Sequence, residues 1–211
     1  MESNHSDTKD NLLFAKLAWR FEPGALQLEL ERLQTDNWLP HVNRANYGGS
    51  WEVLPLRCLA EHAQAHPILQ GFAIETGDAW CNLPALTQAP AMLGILERLQ
   101  CPVGAVRLMR LQAAAHIKPH RDRGLSLEYG EARLHLPITT DPKVEFVVGG
   151  RRVPMLAGEL WYINADAEHS VNNKSPQDRV NLVIDCRVND WLREHIQDGR
   201  GQMAISTQAG V

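Results

Sequence analysis

Hydrophobic and polar positions follow different patterns in the two halves of the chain. In the first half, leucines three or four residues apart alternate with charged residues, a spacing typical of helices with one buried face. Proline and glycine separate these runs from apolar segments that suit strands. The elements predicted there are a strand at 12–21, a helix from Pro23 to Asp36-Asn37, a strand at 51–57, loops and short elements at 58–89, and a helix from Pro90 to Cys101.

From Gly104 onward the apolar runs are short and bounded by turns, which favours antiparallel strands. Gly149-Gly150 separates two such runs and is typical of a tight hairpin. Pro137 interrupts another run, so we expect that strand to lie at a sheet edge or to carry a bulge. The predicted strands are 106–112, 132–140, 143–148, 151–156, 159–164 and 179–186, followed by a closing helix at 189–197.

Helices first and clustered strands later predict a mainly β fold with flanking helices. The architecture that suits this order is a double-sheet barrel of the jelly-roll or cupin type, and the alternative is an α+β domain with one open sheet. The chain has 211 residues, without an internal repeat or a break in composition. We therefore predict one domain over 1–211, with the barrel at about 104–187 and flexible tails at 1–11 and 198–211.

Charge and hydropathy exclude several classes of protein. The net charge is −4 and no block of lysine and arginine is present, so we expect no nucleic-acid partner. No segment approaches the ~18 consecutive apolar residues that span a bilayer, and the polar N-terminus lacks the apolar core of a signal peptide. A cytoplasmic protein without a membrane partner is predicted.

Four cysteines, Cys58, Cys81, Cys101 and Cys186, are widely spaced along the chain. They form no Cys-x-x-Cys pair, so both a structural zinc site and a disulfide framework lack their usual spacing. Free cysteine is among the residues most often buried in protein cores. The sequence therefore predicts buried, reduced thiols.

A candidate metal site begins at His120 and Asp122. The two residues are two positions apart, so in an extended segment both side chains leave the same face. His169 can join them if the intervening chain folds back across the barrel mouth. Two histidines and one carboxylate on one side of an iron ion leave its other side open for further ligands. A His-x-Asp pair alone is common among exposed residues, and the distant histidine makes the pattern more specific.

Arg179 follows His169 by ten positions and opens an apolar strand. A guanidinium group is permanently charged and binds a carboxylate through two parallel hydrogen bonds. An arginine inside a barrel needs an anion, and a bound dicarboxylate would provide it. The alternative is an exposed arginine, or one paired with Asp178 or Asp185.

Arg133 and His135 form a second pair of side chains on one face of a strand. They are candidates for contact with the second carboxylate of that bound dicarboxylate or with a carboxylate of a substrate. His135 has two other interpretations, as a competing iron ligand and as a histidine satisfied in the core. Arg107 and Arg110 lie on opposite faces of their strand, so at most one of them points inward.

These motifs resemble a known family when they are taken as a set. The segments concerned are 106–111, 119–122, 133–137, 158–161 and 169–179, with 41–51 and 56–57 upstream. Over roughly residues 40–187 they are similar to the aspartyl/asparaginyl β-hydroxylase family, in particular its bacterial members, and also to hydroxylases of free proline. The resemblance implies a double-stranded β-helix that binds iron(II) and 2-oxoglutarate, with ascorbate as the reductant.

The resemblance also implies a role for each matching position. The site residues are the catalytic iron ligands His120, Asp122 and His169, then Arg179 for the distal carboxylate of 2-oxoglutarate, and Arg133 and His135 for carboxylates nearer the metal. Some animal members have glycine at the position of Asp122, whereas the triad is complete here. Met109 is a departure, because those members place a serine beside the co-substrate at that position.

The implied activity is a dioxygenase reaction that hydroxylates an unactivated carbon. Its partners would be molecular oxygen and a small substrate, either a free amino acid or an aspartyl/asparaginyl residue of a peptide. Two alternatives stay open. One is a cupin-type metal enzyme, an isomerase or a 2-oxoglutarate-independent dioxygenase, in which Arg179 has no role. The other is a non-catalytic barrel domain that consumes no 2-oxoglutarate.

Overall fold

The computed structural model describes residues 12–33, 37–72, 77 and 79–208, so the predicted tail at 1–11 lies outside it. The strands of the described residues are β1 (Phe14–Arg20), β2 (Leu39–Pro40), β3 (Tyr47–Gly48), β4 (Trp51–Leu59), β5 (Trp80–Asn82), β6 (Val103–Leu111), β7 (His116–His120), β8 (Glu131–Thr139), β9 (Val144–Val148), β10 (Arg151–Arg152), β11 (Glu159–Ile163), β12 (His169–Asn173) and β13 (Arg179–Arg187). The α-helices are α1 (Pro23–Arg32), α2 (Pro67–Phe72), α3 (Pro84–Thr87), α4 (Pro90–Glu97) and α5 (Asp190–Gln208).

The strands form two antiparallel sheets. Within the described residues, the larger sheet has the order β1-β11-β8-β13-β6-β4-β2, with β5 paired to β4, and the smaller has the order β10-β9-β12-β7-β3. Strands far apart in sequence become neighbours because the chain passes back and forth between the sheets, which is the winding of a jelly roll. The expected double-stranded β-helix with flanking helices is confirmed. Strands upstream of 104, including β1 and β4, also join the sheets.

Side chains of the larger sheet alternate between two faces, as the period of an extended strand requires. On β13, Leu182 and Ile184 are buried on the outer face, in a core that also contains Leu26 of α1, Ile95 of α4 and other helical residues. The adjacent Val183 belongs to a second core, which lies between the two sheets. The helices α1, α3, α4 and α5 therefore cover one face of the larger sheet, and the opposite face lines the space in which the site lies.

The structure departs from the predicted elements at several places. The strands β2, β3, β7 and β12 are absent from the expected set. The helix α1 ends at Arg32 rather than at Asp36-Asn37, and α4 ends at Glu97 rather than at Cys101. The closing helix is longer than expected, since α5 continues to Gln208 and includes 198–208 of the predicted tail; 209–211 lie outside the described residues. Within the described residues, no helix has the length and apolar character that crossing a membrane would require.

Pro137 was predicted to lie either in an edge strand or at a bulge, and the structure decides between the two. It lies on β8, which is an inner strand of the larger sheet between β11 and β13. The register of β13 against β8 shifts between Val180 and Asn181, whose partners are Thr139 and Pro137. Since proline cannot donate a ladder hydrogen bond, a local irregularity accommodates it inside the sheet. The expected bulge is confirmed, and the edge position is wrong.

Gly158, just before β11, lies against the backbone of Phe21. Its φ is +79°, and a Cβ built there would overlap the carbonyl oxygen of Phe21, whose N–H donates to the Gly158 carbonyl at 2.8 Å. A positive φ costs a non-glycine residue about 1–2 kcal/mol, and the overlap with backbone adds to this cost. We expect Gly158→Ala to lower the free energy of unfolding by more than about 2 kcal/mol in urea titrations.

Gly150 provides the matched control for this prediction. Its φ is +75°, and a Cβ built there has no atom within 4 Å. Gly150→Ala therefore carries the conformational cost alone, about 1–2 kcal/mol. If Gly158→Ala and Gly150→Ala lower the free energy of unfolding equally, the close approach of Phe21 to Gly158 adds nothing to the cost of the substitution.

Candidate active site

Two neighbouring strands of the smaller sheet bring the predicted triad together. β7 and β12 pair so that His169 lies directly opposite His120. Asp122 follows β7 by two residues, and its backbone N–H donates to the carbonyl of Ala165 at 2.9 Å. One ligand atom from each of His120, Asp122 and His169 lies within 4.8 Å of the others. The sheet register thus closes the long interval in sequence between the first and last members of the triad.

Both triad histidines are held in the tautomer that a metal requires. Nδ1 of His120 lies 2.9 Å from the carbonyl oxygen of Lys118, and Nδ1 of His169 lies 3.0 Å from that of Ala167. A carbonyl oxygen only accepts, so each Nδ1 carries the proton and each Nε2 presents its lone pair. Burial, with the nearby His120, lowers the pKa of His169 to about 4. The His169 ring is therefore neutral at pH 7.

Arg133 orients the third member of the triad. Oδ1 of Asp122 lies 3.9 Å from Nε2 of His120, whereas Oδ2 accepts a hydrogen bond from Nη1 of Arg133. Oδ1, on the side of His120, is thus the oxygen that we expect a metal ion to bind. Two neutral imidazole nitrogens and one carboxylate oxygen form the donor set of non-haem iron(II) sites, and the residues present fit that ion.

Arg133 also takes part in a second, buried ion-pair network. Its Nε and Nη2 donate to the two carboxylate oxygens of Asp185 at 2.7 and 3.0 Å. Arg107 donates to the same carboxylate at 2.5 Å and to the carbonyl of Gly71 at 3.3 Å. Burial raises the pKa of Asp185, but the two guanidinium groups outweigh it and lower the pKa to about 2. The network therefore anchors Arg133 beside Asp122.

Arg107 and Arg110 occupy opposite faces of β6, as the spacing predicts. Arg107 points between the sheets, whereas Arg110 pairs with Glu52 at 2.6 Å and stacks on the ring of Trp38 at 4.3 Å. Asp185 is a residue of the site that the sequence reasoning missed, having entered it only as a possible partner of Arg179. Its position two residues after Val183, on the same face of β13, is the signal that could have found it.

Arg179 is buried on the inner face of β13 without a carboxylate partner among the described residues. It is 5% exposed, its guanidinium lies 5.4 Å from the ring centre of Phe146, and burial lowers its pKa to about 10 with no carboxylate to oppose the shift. Asp178 accepts instead from the N–H of Ala113, and Asp185 pairs with the two other arginines. The exposed and paired alternatives for Arg179 do not hold.

Asn181 and Met109 lie beside this arginine. The Asn181 side-chain oxygen, in its hydrogen-bonded orientation, accepts from Nη2 of Arg179 at 2.6 Å. Met109 is directly opposite Asn181 in the register of β6 and β13, and it is 8% exposed. The position that departs from the animal members therefore faces the residue that contacts Arg179.

His135 lies between Arg179 and the triad but outside the metal-binding group. It is buried, its Nδ1 lies 3.3 Å from the Asn181 amide, and its ring centre is 5.4 Å from that of Phe146. Burial and the nearby Arg179 lower its pKa well below the usual value. Among the described residues, the candidate metal-ligand group comprises His120, Asp122 and His169 and does not include His135.

Phe146, on β9, is a second residue of the site that the sequence reasoning missed. Its ring centre lies 6.3 Å from that of His169, and its ring also contacts His135 and Arg179. His169, His135 and Arg179 therefore all lie next to the ring of Phe146. Trp51 lies near the triad, 6.2 Å from His120, with His41 stacked on it at 3.5 Å. The space between the sheets thus holds the triad, a buried cation and aromatic rings.

The fold and the site together define a class: a jelly-roll protein with a candidate two-histidine, one-carboxylate metal centre. The model of the family described as aspartyl/asparaginyl beta-hydroxylase matches residues 24–188, and the chain belongs to this family. Membership supports an enzyme of the oxygenase and hydroxylase class.

Three solved structures are similar to this chain at low sequence identity. An oxidoreductase of the 2OG-Fe(II) oxygenase family from Burkholderia pseudomallei is 15% identical, with 77% of this chain and 79% of that chain covered and a TM-score of 0.48. A prolyl-4-hydroxylase from Pseudomonas putida is 15% identical, with 87% of this chain and 96% of that chain covered and a TM-score of 0.47. A cupin-like protein from Thermotoga maritima is 8% identical, with 73% of this chain and 80% of that chain covered and a TM-score of 0.39. These values describe a likeness of fold alone.

Proposed function

We propose that the protein is an iron(II)- and 2-oxoglutarate-dependent dioxygenase. It would hydroxylate an unactivated carbon of a free amino acid or of an aspartyl or asparaginyl residue. The observation that carries the proposal is the buried guanidinium of Arg179, which has no carboxylate partner among the described residues. This guanidinium contacts the ring of Phe146, which also lies next to His169. Burying an unpaired charge is costly, and a bound dicarboxylate would offset that cost.

The triad would hold the metal through two Nε2 atoms and one carboxylate oxygen. The backbone carbonyls behind His120 and His169 keep both rings in the ligating tautomer, and the hydrogen bond from Arg133 to Oδ2 orients the carboxylate of Asp122. When bound, iron(II) would supply the activation of molecular oxygen, which is the oxidant of the reaction. One oxygen atom would end in the succinate that forms as 2-oxoglutarate loses carbon dioxide, and the other would convert a C–H bond of the substrate to C–OH.

Arg179 would hold the distal carboxylate of 2-oxoglutarate through two parallel hydrogen bonds. Asn181 accepts from one of its nitrogens and so restricts the orientation of the guanidinium. His135 is neutral at pH 7 because its pKa is lowered, so it would contact a carboxylate nearer the metal by hydrogen bonding rather than by charge. Arg133 is a candidate for the same carboxylate, although Asp122 and Asp185 already accept from three of its nitrogens.

The apolar residues of the inner wall would exclude water from the reacting atoms. Met109, Leu111, Phe146 and Trp161 belong to the core between the sheets, and each is less than a tenth exposed. Ascorbate is proposed as the reductant that keeps iron in the ferrous state. The substrate itself would be a small molecule or a peptide segment that presents its C–H bond at the open side of the triad.

The test of the proposed function is succinate release. The purified protein, supplied with iron(II), ascorbate and 2-oxoglutarate, is incubated with a panel of free amino acids and of aspartate- and asparagine-containing peptides. We expect succinate to appear with one substrate class, in equal amount to a product that has gained one oxygen atom by mass spectrometry. Conversion that proceeds without 2-oxoglutarate would favour the cupin-type alternative. No turnover across the panel, with iron binding intact, would favour a non-catalytic barrel.

A further inference from the structure

The four cysteines, scattered in sequence, meet as two pairs in the fold. Cys58 on β4 lies directly opposite Cys81 on β5 in the strand register. Cys186 at the end of β13 lies beside Cys101, and the hydrogen bond between these thiols, with burial, raises the pKa of Cys186 well above its usual value. All four thiols are free. Each pair combines one buried cysteine, Cys58 or Cys186, with one partly exposed cysteine, Cys81 or Cys101.

We infer that Cys58 and Cys81 form a reversible thiol–disulfide couple. The ladder hydrogen bonds on either side are Ala60 N–H to the Ala79 carbonyl and Leu83 N–H to the Leu56 carbonyl, both at 2.8 Å. In an antiparallel ladder these bonds make the cysteines a hydrogen-bonded pair, whose Cα atoms lie about 5.5 Å apart. That Cα separation falls within the span of about 4.4–6.8 Å that a disulfide bridges. The Cβ atoms of a hydrogen-bonded pair lie about 5.5 Å apart, wider than the about 3.5–4.5 Å usual for a disulfide, so the bond would be strained and easily reduced.

Geometry favours this pair over the other one. The direct strand partner of Cys186 is Val103, so Cys101 lies two positions out of register. Cys101 precedes β6, which begins at Val103, so it lies outside the strand ladder and no register places it opposite Cys186. Cys58 and Cys81 are the pair of thiols that a strand register holds directly opposite each other. The second pair serves as an internal control.

The order of reaction follows from exposure. Cys81 is partly exposed and Cys58 is 2% exposed. The Cys81 thiolate attacks one sulfur of a small-molecule disulfide such as glutathione disulfide, which forms a mixed disulfide and releases one glutathione. The Cys58 thiolate then attacks the Cys81 sulfur, the protein disulfide forms and the second glutathione leaves. The protein loses two electrons and two protons, and glutathione disulfide gains them.

The disulfide would close the segment 59–80, which carries α2. Within that segment the carbonyl of Gly71 accepts from Arg107, the partner of Asp185 in the ion-pair network beside Asp122. The pKa of Cys58 is raised to about 11 by burial and by the neighbouring Cys81 thiol, in keeping with the contact between the two sulfurs. Cys58 and Cys81 thus flank the segment 59–80, in which Gly71 contacts Arg107 of the candidate site.

The experiment is thiol trapping in glutathione redox buffers. The full-length protein is equilibrated with graded ratios of oxidised to reduced glutathione, alkylated with N-ethylmaleimide and analysed by intact mass and non-reducing peptide mapping. We expect loss of two hydrogen atoms and a linked peptide pair containing Cys58 and Cys81, both reversed by dithiothreitol. Cys101→Ser should keep the link, and Cys81→Ser should lose it. In Cys58→Ser, one glutathione should stay attached to Cys81.

Three results would overturn the inference. The first is full alkylation of all four thiols at every buffer ratio. The second is a stable mixed disulfide on Cys81 in the unsubstituted protein, which would show that Cys58 cannot reach it. The third is a linked peptide pair containing Cys101 and Cys186 in place of the expected one.

Discussion

His169→Ala is expected to abolish stoichiometric iron(II) binding and, with it, substrate-dependent succinate release. The substitution removes one of the three ligand atoms that lie within 4.8 Å of one another. Loss of a residue that only supports a ligand costs about 10–100-fold in metal affinity, so loss of a ligand should cost more than about 100-fold. Anaerobic titration with iron(II), followed by metal analysis of the desalted protein, measures the effect. Asp122→Ala should behave in the same way.

His116→Ala is the matched control for the triad. His116 is an exposed histidine on the same strand as His120, and it lies outside the candidate metal group. Its replacement should leave the iron(II) affinity within about twofold of that of the unsubstituted protein, since surface changes of this kind usually alter free energies by less than about 0.5 kcal/mol. Turnover that survives in His169→Ala would refute the ligand assignment.

Arg179→Ala is expected to raise the half-saturating 2-oxoglutarate concentration by more than about 100-fold while iron(II) binding stays unchanged. Removing one partner of a buried, hydrogen-bonded charge pair costs about 3–5 kcal/mol, and about 1.4 kcal/mol corresponds to a factor of ten. Arg179→Lys keeps the charge but loses the two-pronged geometry, so its effect should be intermediate. Steady-state succinate release at varied 2-oxoglutarate, with direct titration of the ligand, measures both variants.

Arg110→Ala provides the control for the arginine. Arg110 lies on the outer face of β6, where it pairs with Glu52 and stacks on Trp38. The half-saturating 2-oxoglutarate concentration should be unchanged in this variant. An unchanged concentration in Arg179→Ala as well would favour the cupin-type alternative, in which Arg179 has no role in the reaction.

Local pattern predicted the strands that have a continuous buried face. β8 and β13 carry alternating apolar side chains into the helix-covered core, and Gly149-Gly150 has positive φ at both residues, as a tight hairpin requires. The polar strands escaped prediction. β7 contains one aliphatic residue, Ile117, and β12 contains one, Val171, so neither shows an apolar pattern. Pairing with neighbouring strands, rather than their own composition, makes them extended.

The sequence by itself determined which residue types form the candidate site and which of them share a strand face. The period of two placed Arg133 beside His135 and separated Arg107 from Arg110, because that period is a property of the extended backbone. Only the tertiary structure decided that His169 faces His120, that Arg133 holds Asp122, and that Cys58 meets Cys81. These contacts depend on the register between strands distant in sequence, and no local pattern encodes that register.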